Sequence, residues 1–407
     1  MKYEDRDYVV IEVPRADRQD KPVYIGQDMF RGTFKRNHEG YYHCTKEEIK
    51  AMIRDQSDTS ADSLVLDKLS LSVFCPDSVQ SYRNRFKALR EDHFWNKLED
   101  EEFLMKIGAA RIAESDGRIH PTLGGLIFFG EYIDILNELP YFFLDYRERK
   151  SSDTRWTDRV CSGDANWSGN VYDFYFRIID RLTADVKRPF ELDDNLIRVE
   201  DTPVHKALRE CLANALIHAD YYGRQGVVID KEFTKITFSN AGSFRIDVNE
   251  AIAGGISDAR NTRIFNMFAL INVGERSGIG LCDVFNVWKK YGFSSPEIVE
   301  TVSPDRVSIS VSILTGENVA NVANTDENVA NTNENVANVA NHIGEQSVLK
   351  YVLNFISENP TTNTSEISKA LGVNIRTVQR AIKELEEENI LMKNGTRKSV
   401  LWTVLKK

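Results

Sequence analysis

The sequence predicts a multidomain α/β and α+β chain that ends in a small module of three helices and a hairpin. Three observations lead there. The chain has 407 residues, too many for one ordinary core. Its middle part alternates helix-like and strand-like apolar periods. A repetitive Asn/Val stretch then separates a final segment whose charge is opposite in sign to that of the whole.

Taken in order, residues 8–13 (YVVIEV) read as a buried strand, and 23–25 as a second short strand beyond a Pro14 to Pro22 turn region. Residues 47–54 form a short helix, and 55–63 (DQSDTSADS) are polar enough to mark a boundary. Residues 78–113 read as helical, with Phe86, Leu89, Phe94, Leu98, Phe103 and Ile107 at helical spacing. HPTLGGLIFFG follows, then a strand over 141–146 and an amphipathic helix over 170–184. The clearest helix is 204–219 (VHKALRECLANALIHA). Residues 227–230 and 235–238 pair as strands, Gly278-Ile279-Gly280 opens a helix running to Tyr291, and 307–313 closes the unit as a strand.

The formal net charge is -10, which excludes a uniformly basic nucleic-acid coat, so any DNA contact has to be local. Five cysteines (Cys44, Cys75, Cys161, Cys211 and Cys282) are scattered, odd in number and without a CxxC pair. They read as reduced thiols with no zinc site. MKYEDRDYVV is not a basic-then-apolar leader, and the best apolar run, LGGLIFFGEYIDIL, is broken by Glu131 and Asp134. The expectation is a cytoplasmic chain without a membrane span.

Within 315–345 the motif ENVAN recurs at 317, 327 and 334, and 316–341 has no Lys or Arg and no large apolar side chain. Such a stretch cannot bury a core and reads as a flexible linker, about 30 Å across as a random coil. A coiled coil is the alternative. Val322, Val329 and Val336 are seven apart, but the other seam positions hold Asp326 and Asn333.

The last segment, 346–407, carries ten Lys and Arg against six Glu, a net +4. Thr364 caps SEISKAL, Gly372 ends it, and Asn374 caps IRTVQRAIKELEEEN. Ile375, Val378, Ile382 and Leu385 face inward on that second helix, which turns Arg376, Thr377, Gln379, Arg380 and Lys383 outward. The hairpin LMKNGTRKSVLWTV places Asn394-Gly395 at a favoured turn, with Lys393, Arg397 and Lys398 near its tip. This is the layout of a winged helix-turn-helix, with the second helix aimed at a major groove and a basic wing at phosphates. Protein–protein contact is the alternative use. Two copies in a homo-oligomer would address a palindromic site.

One constellation in the middle carries chemistry. Glu210, Asn214 and His218 are four apart and share a helix face. The carboxylate suits a general base and the amide oxygen suits Mg²⁺. A solvated helix face is the plainer reading. Asn240-Ala241-Gly242 directly after a strand, and Gly278 with Gly280 at a helix start, add backbone donors suited to phosphate. Arg276 stands beside the second glycine pair, placed either to meet phosphate or on the surface.

Together these residues resemble the Bergerat-fold (GHKL) ATPases, in which a helix Glu and Asn meet ATP–Mg²⁺ and two glycine boxes follow. More closely, 119–314 resembles the RecG-related family of transcriptional regulators, through HPTLGGLIFFG, HKALRECLANALIHADYYG, ITFSNAGSF, RNTRIFNMF and GERSGIGLCDVF. The resemblance implies a Bergerat-type α/β sandwich over 196–314, preceded by a connecting α/β region over 64–195. It implies ATP and Mg²⁺ as ligands, with Glu210 as the catalytic base, Asn214 on the metal, and His218, Asn240, Gly242, Arg276, Gly278 and Gly280 around the nucleotide. Arg260 and Arg263 fall in the segment corresponding to the lid, where a structural role is expected. Where the family's standard enzymes carry Asp, this chain has Asn240, which implies weaker or altered nucleotide binding. Residues 1–55 resemble the C-terminal part of a Schlafen-type AlbA domain. No GxxxxGK[ST] motor motif is present. Three functions stand open: a nucleotide-sensing transcription regulator, an ATPase in DNA transactions or defence, and a scaffold with a dead nucleotide site.

Overall fold

The Thr45 hydroxyl accepts from Glu48 N–H while the Glu48 carboxylate accepts from Thr45 N–H, a capping box that starts the helix Lys46–Gln56. The same logic recurs at Thr202, which caps Pro203–Ile217 with Pro203 in the first turn. The computed structural model describes residues 2–3, 6–7, 16–36, 40–149, 156–184, 202–232, 234–274, 280–302 and 304–313. In the C-terminal part it describes 352–353, 356, 362, 364, 367, 375–387, 390–396 and 399–404. The strand expected at 8–13, the linker at 315–345, Arg276, Gly278, Arg397 and Lys398 lie outside the described residues.

The chain divides into two units, the first formed by 1–147, 159–231 and 236–311, the second by 148–158, 232–235 and 312–407. The first unit is built on a six-stranded sheet in the order Glu297–Val302, Asp305–Ser312, Lys235–Ala241, Val227–Lys231, Leu144–Glu148, Asp158–Cys161. Val227–Lys231 and Lys235–Ala241 run antiparallel with Phe238 opposite Ile229, as the strand pairing in the sequence predicts. Thr237 and Ser239 bond Ser310 and Ser308 through their hydroxyls at 2.9 and 2.8 Å. The helix Pro203–Ile217 packs against Val171–Thr183, Thr262–Leu270 and Gly280–Lys290. The mixed α/β class expected from the sequence is therefore present.

Beside it lies an aromatic core. Tyr82 meets Phe103, Phe128, Phe129 and Tyr172 edge-on, an arrangement that favours aromatic quadrupoles. All seven residues of the helix Leu123–Phe129 are buried. The Asp62 carboxylate, 1% exposed, accepts from the N–H groups of Arg263 and Ile264 at 2.8 and 3.0 Å. It supplies from a distant segment the acceptor that the start of Thr262–Leu270 needs, since Asn261 at the N-cap makes no side-chain cap bond.

Two expectations are corrected. Residues 78–113 are not one helix but Pro76–Leu89, a 3₁₀ turn Phe94–Lys97, Asp100–Ile107 and a short strand Ala110–Ile112. Asn96 ties back to the Arg90 carbonyl at 2.7 Å, and Gly108 ends the last helix in the left-handed conformation at φ 85°. Residues 23–25 form only an isolated bridge, Tyr24 to Thr33, rather than a strand.

The second unit contains its own apolar cluster: Val352, Ile356, Ile367, Val378, Ala381, Ile382, Leu385, Leu391 and Trp402. The Trp402 indole N–H donates to the Thr362 carbonyl at 2.8 Å. The helix Ile375–Glu387 is followed by the hairpin Leu391–Thr396 and Ser399–Val404. Its turn differs from the one read in the sequence. Asn394 pairs with Leu401 and Thr396 with Ser399, so Asn394-Gly395 lies inside a strand and the chain reverses between 396 and 399.

Candidate functional site

The face of Pro203–Ile217 that carries Glu210 and Asn214, with His218 just beyond, does not look onto open solvent. With Phe238 and Asn240 of the central strand and Val307 and Ile309 of its neighbour, it lines a cleft that opens to solvent. The loop after Asn240, the residues around Asp258, and Gly280 close its sides.

At one end the Asn214 amide donates to Glu210 Oε1 at 3.1 Å. This places the amide oxygen of Asn214 on the side away from the carboxylate. Gly280 stands directly beside them. A Cβ on it would fall 2.0 Å from Glu210 Oε1, so a larger residue at 280 would displace that carboxylate from its present place. Roughly 12 Å along the helix axis, at eight residues of ~1.5 Å rise, His218 marks the other end. There Arg260 holds the loops together. Its Nε donates to the His218 carbonyl at 3.0 Å, its Nη2 to the Ser243 carbonyl at 2.8 Å, and its Nη1 to the Asp55 carboxylate. Asn261 donates to the Ile217 and Ala219 carbonyls at 2.9 and 2.7 Å, filling orphan acceptors where the helix ends.

Burial, then the nearby Arg260 and Arg245 charges, push the His218 imidazole down to about 4. It is neutral at physiological pH. Because the folded value lies below the ordinary 6.5, the stability it contributes is complete above pH 6.5 and is lost as pH falls toward 4. Proton NMR of the histidine ring signals is expected to show one midpoint near 4 that disappears in His218→Gln. A midpoint at 6 or above for that signal would contradict this placement.

The structure thus brings Glu210, Asn214, His218, Asn240 and Gly280 to one cleft. Asn240 is 7% exposed, and its amide donates to the Ala241 carbonyl at 3.1 Å. Gly242 does not line this cleft. It adopts φ 103°, and a Cβ there would sit 3.1 Å from the Arg260 guanidinium, so its conformation makes room for that side chain. Arg263 is likewise elsewhere, with Nε on the Ser63 hydroxyl at 3.1 Å. Sequence reasoning missed Phe244, Arg245, Ile256 and Asp258, which also line the cleft. They come from loops with no periodic pattern, and only tertiary closure brings them to the helix.

Among the described residues no group of three or more His, Cys, Asp and Glu is placed to hold a metal ion, and all five cysteines are free. No helix among them is long and apolar enough to cross a membrane.

On the second unit, Gln379, Arg380 and Lys383 are exposed on the helix Ile375–Glu387, opposite the buried Val378, Ile382 and Leu385. Arg376, Thr377 and Lys393 lie on described backbone, but their side chains fall outside the described residues. Residues 351–392 match the family described as winged helix-turn-helix DNA-binding. With the helix and hairpin above, this defines the chain as one carrying a winged helix-turn-helix of the DNA-binding kind.

Residues 50–145 match a second family, described as Domain of unknown function (DUF8451). It includes Asp62 and, of the aromatic core, Tyr82, Phe103, Phe128 and Phe129. No protein of curated function matches the chain. Among solved structures, the DIP2311 protein from Corynebacterium diphtheriae is similar over 92% of this chain and 75% of its own. The identity is 13% and the TM-score 0.46, a distance at which the likeness carries no functional argument.

Proposed function

We propose that this chain is a nucleotide-sensing, DNA-binding transcription regulator, with ATP and Mg²⁺ in the cleft beneath the Pro203–Ile217 helix and the winged helix on DNA. The observation that carries the reading is the convergence of Glu210, Asn214, Asn240 and Gly280 on one cleft. The residues suit the ligand. Asn240 at the buried end offers amide hydrogen bonding to a base. The start of the Gly280–Lys290 helix offers N–H groups to phosphate. The Asn214 amide oxygen is a hard donor of the kind Mg²⁺ accepts alongside water and phosphate oxygens. Bound Mg²⁺ would neutralise phosphate charge. Glu210, which accepts from the Asn214 amide, would be the group to take a proton from an attacking water, with slow hydrolysis as a secondary activity.

Calorimetry with ATP–Mg²⁺ tests this. Wild type is expected to bind, and Asn214→Ala to bind at least tenfold more weakly, about 1.4 kcal/mol. Absence of heat with wild type would overturn the nucleotide assignment and leave the DNA-reading module as the chain's function.

A further inference from the structure

The described residues that line the cleft include none from the N-terminal segment 16–56, yet that segment holds three of the charged residues that do. Asp55 takes the Arg260 guanidinium on its carboxylate, and its carbonyl accepts from Arg245 Nη2 at 3.4 Å. Arg18 Nε lies 2.6 Å from the Asp258 carboxylate, and Arg18 Nη1 donates to the Asp55 carbonyl at 2.8 Å. Two further pairs fasten the same segment behind the cleft wall: Arg54 to Asp220 at 2.9 Å and Lys35 to Asp305 at 2.7 Å. Asp305 in turn accepts the Gly242 N–H on its carbonyl at 3.1 Å. The Arg260, Arg245 and Asp258 links join the segment to the loops that close the His218 end.

We propose that docking of the segment 16–56 and closure of the cleft rim at 242–261 are one coupled equilibrium, carried by the Asp55–Arg260 and Arg18–Asp258 ion pairs, through which a nucleotide in the cleft fastens the segment. The nucleotide part rests on the function proposed above.

The physical case is one of connected partners. Arg260 spends its guanidinium on three partners at once: the end of the Pro203–Ile217 helix, the loop after the central strand, and Asp55. Undocking the segment removes the carboxylate and leaves Arg260, 9% exposed on its side chain while the segment is docked, bonded only to carbonyls. Arg245, 8% exposed on its side chain and 3.4 Å from the Asp258 carboxylate, loses its Asp55 acceptor, and Asp258 keeps only that longer pair once Arg18 leaves. A guanidinium or carboxylate that loses its shortest partner holds its position less firmly. The rim therefore loosens with the segment, and a ligand that needs the closed rim stabilises the docked state. Reciprocity makes the two effects equal: the factor by which docking tightens ligand is the factor by which ligand tightens docking. Asp55 is thus a positioning residue, acting on the cleft through Arg260 and Arg245.

Hydrogen exchange of the full chain, read by mass spectrometry, decides the matter. In ligand-free protein, Asp55→Ala is expected to speed exchange in 46–56 and also in 247–261. Asp55→Glu, which keeps the charge, should restore both, and Arg18→Ala should reproduce the rim response from the other ion pair. ATP–Mg²⁺ should slow exchange in 46–56 of wild type, and Asp55→Ala should weaken its binding about tenfold. Faster exchange confined to 46–56, or equal ATP affinity in wild type and Asp55→Ala, would overturn the coupling. No ATP heat with wild type but an intact rim response would sink the nucleotide reading while supporting the segment-to-rim equilibrium.

Discussion

Trp402→Ala is expected to unfold the C-terminal module and abolish DNA binding while leaving the cleft intact. Trp402 is 5% exposed within a cluster of nine buried residues, and its indole N–H satisfies the Thr362 carbonyl. Truncating a buried Trp costs about 3–5 kcal/mol, and leaving a buried carbonyl unpaired adds about 1–3 kcal/mol. A module of this size seldom has more than about 3–5 kcal/mol in hand. The loss therefore matches its whole stability. The measurement is fluorescence anisotropy of a labelled random duplex at low salt, together with calorimetric unfolding. The variant should show no salt-sensitive binding and one unfolding transition fewer. Arg380→Ala makes the contrast, because Arg380 is exposed and its neighbours Val378 and Ile382 keep the core. That variant should stay folded and bind the same duplex more weakly, with a salt dependence lower by about one unit of slope. Full DNA binding by Trp402→Ala would show that DNA is held elsewhere in the chain.

The hairpin also shows where local sequence misleads. Asn-Gly is the strongest short-range turn signal, yet Asn394-Gly395 lies within the strand. A turn there would pair 393 with 396 and carry Trp402 past the end of the partner strand, out of the core. The observed register sets Trp402 opposite Lys393 and Leu391 opposite Val404, so Leu391 and Trp402 share the buried face. Burial of two large apolar residues outweighs a turn propensity. By contrast, Pro203–Ile217 was legible because its apolar stripe and Thr-Pro start agree. The half of the site on that helix was legible with it. The half on loops was not. Arg245 and Asp258 have no spacing that marks them, and Arg260 and Asp55 meet across 205 positions of sequence. Nor did periodicity show the break near Arg90, since apolar residues continue at helical spacing on both sides of it.

Within the first unit, Gly125→Ala is expected to be strongly destabilising. Gly125 lies in the first turn of Leu123–Phe129, where every residue is buried. Its added Cβ would stand 2.0 Å from the Ala109 carbonyl oxygen and 2.7 Å from that carbonyl carbon. These are backbone atoms, so no rotamer change relieves the contact. The same carbonyl accepts from Thr122 N–H at 2.9 Å and from its hydroxyl at 3.0 Å, and the hydroxyl accepts from Gly125 N–H at 3.0 Å. Moving the helix away from Ala109 therefore breaks the bonds that begin it. A shift of the helix also disturbs Phe128 and Phe129, whose rings lie 5.2 to 5.9 Å from those of Tyr82 and Tyr172. Ordinary overpacking costs about 1–3 kcal/mol, and with backbone on the other side of the contact this site should lie at or above the top of that range. At roughly 2–4 °C per kcal/mol for a large domain, the first unit's melting temperature should drop by roughly 6–12 °C or the protein should fail to accumulate. The Trp402 module, with its separate core, should melt unchanged. A drop under about 2 °C would mean that the Gly108–Ala109 turn can yield, and that the close approach of this helix is not what fixes the aromatic core.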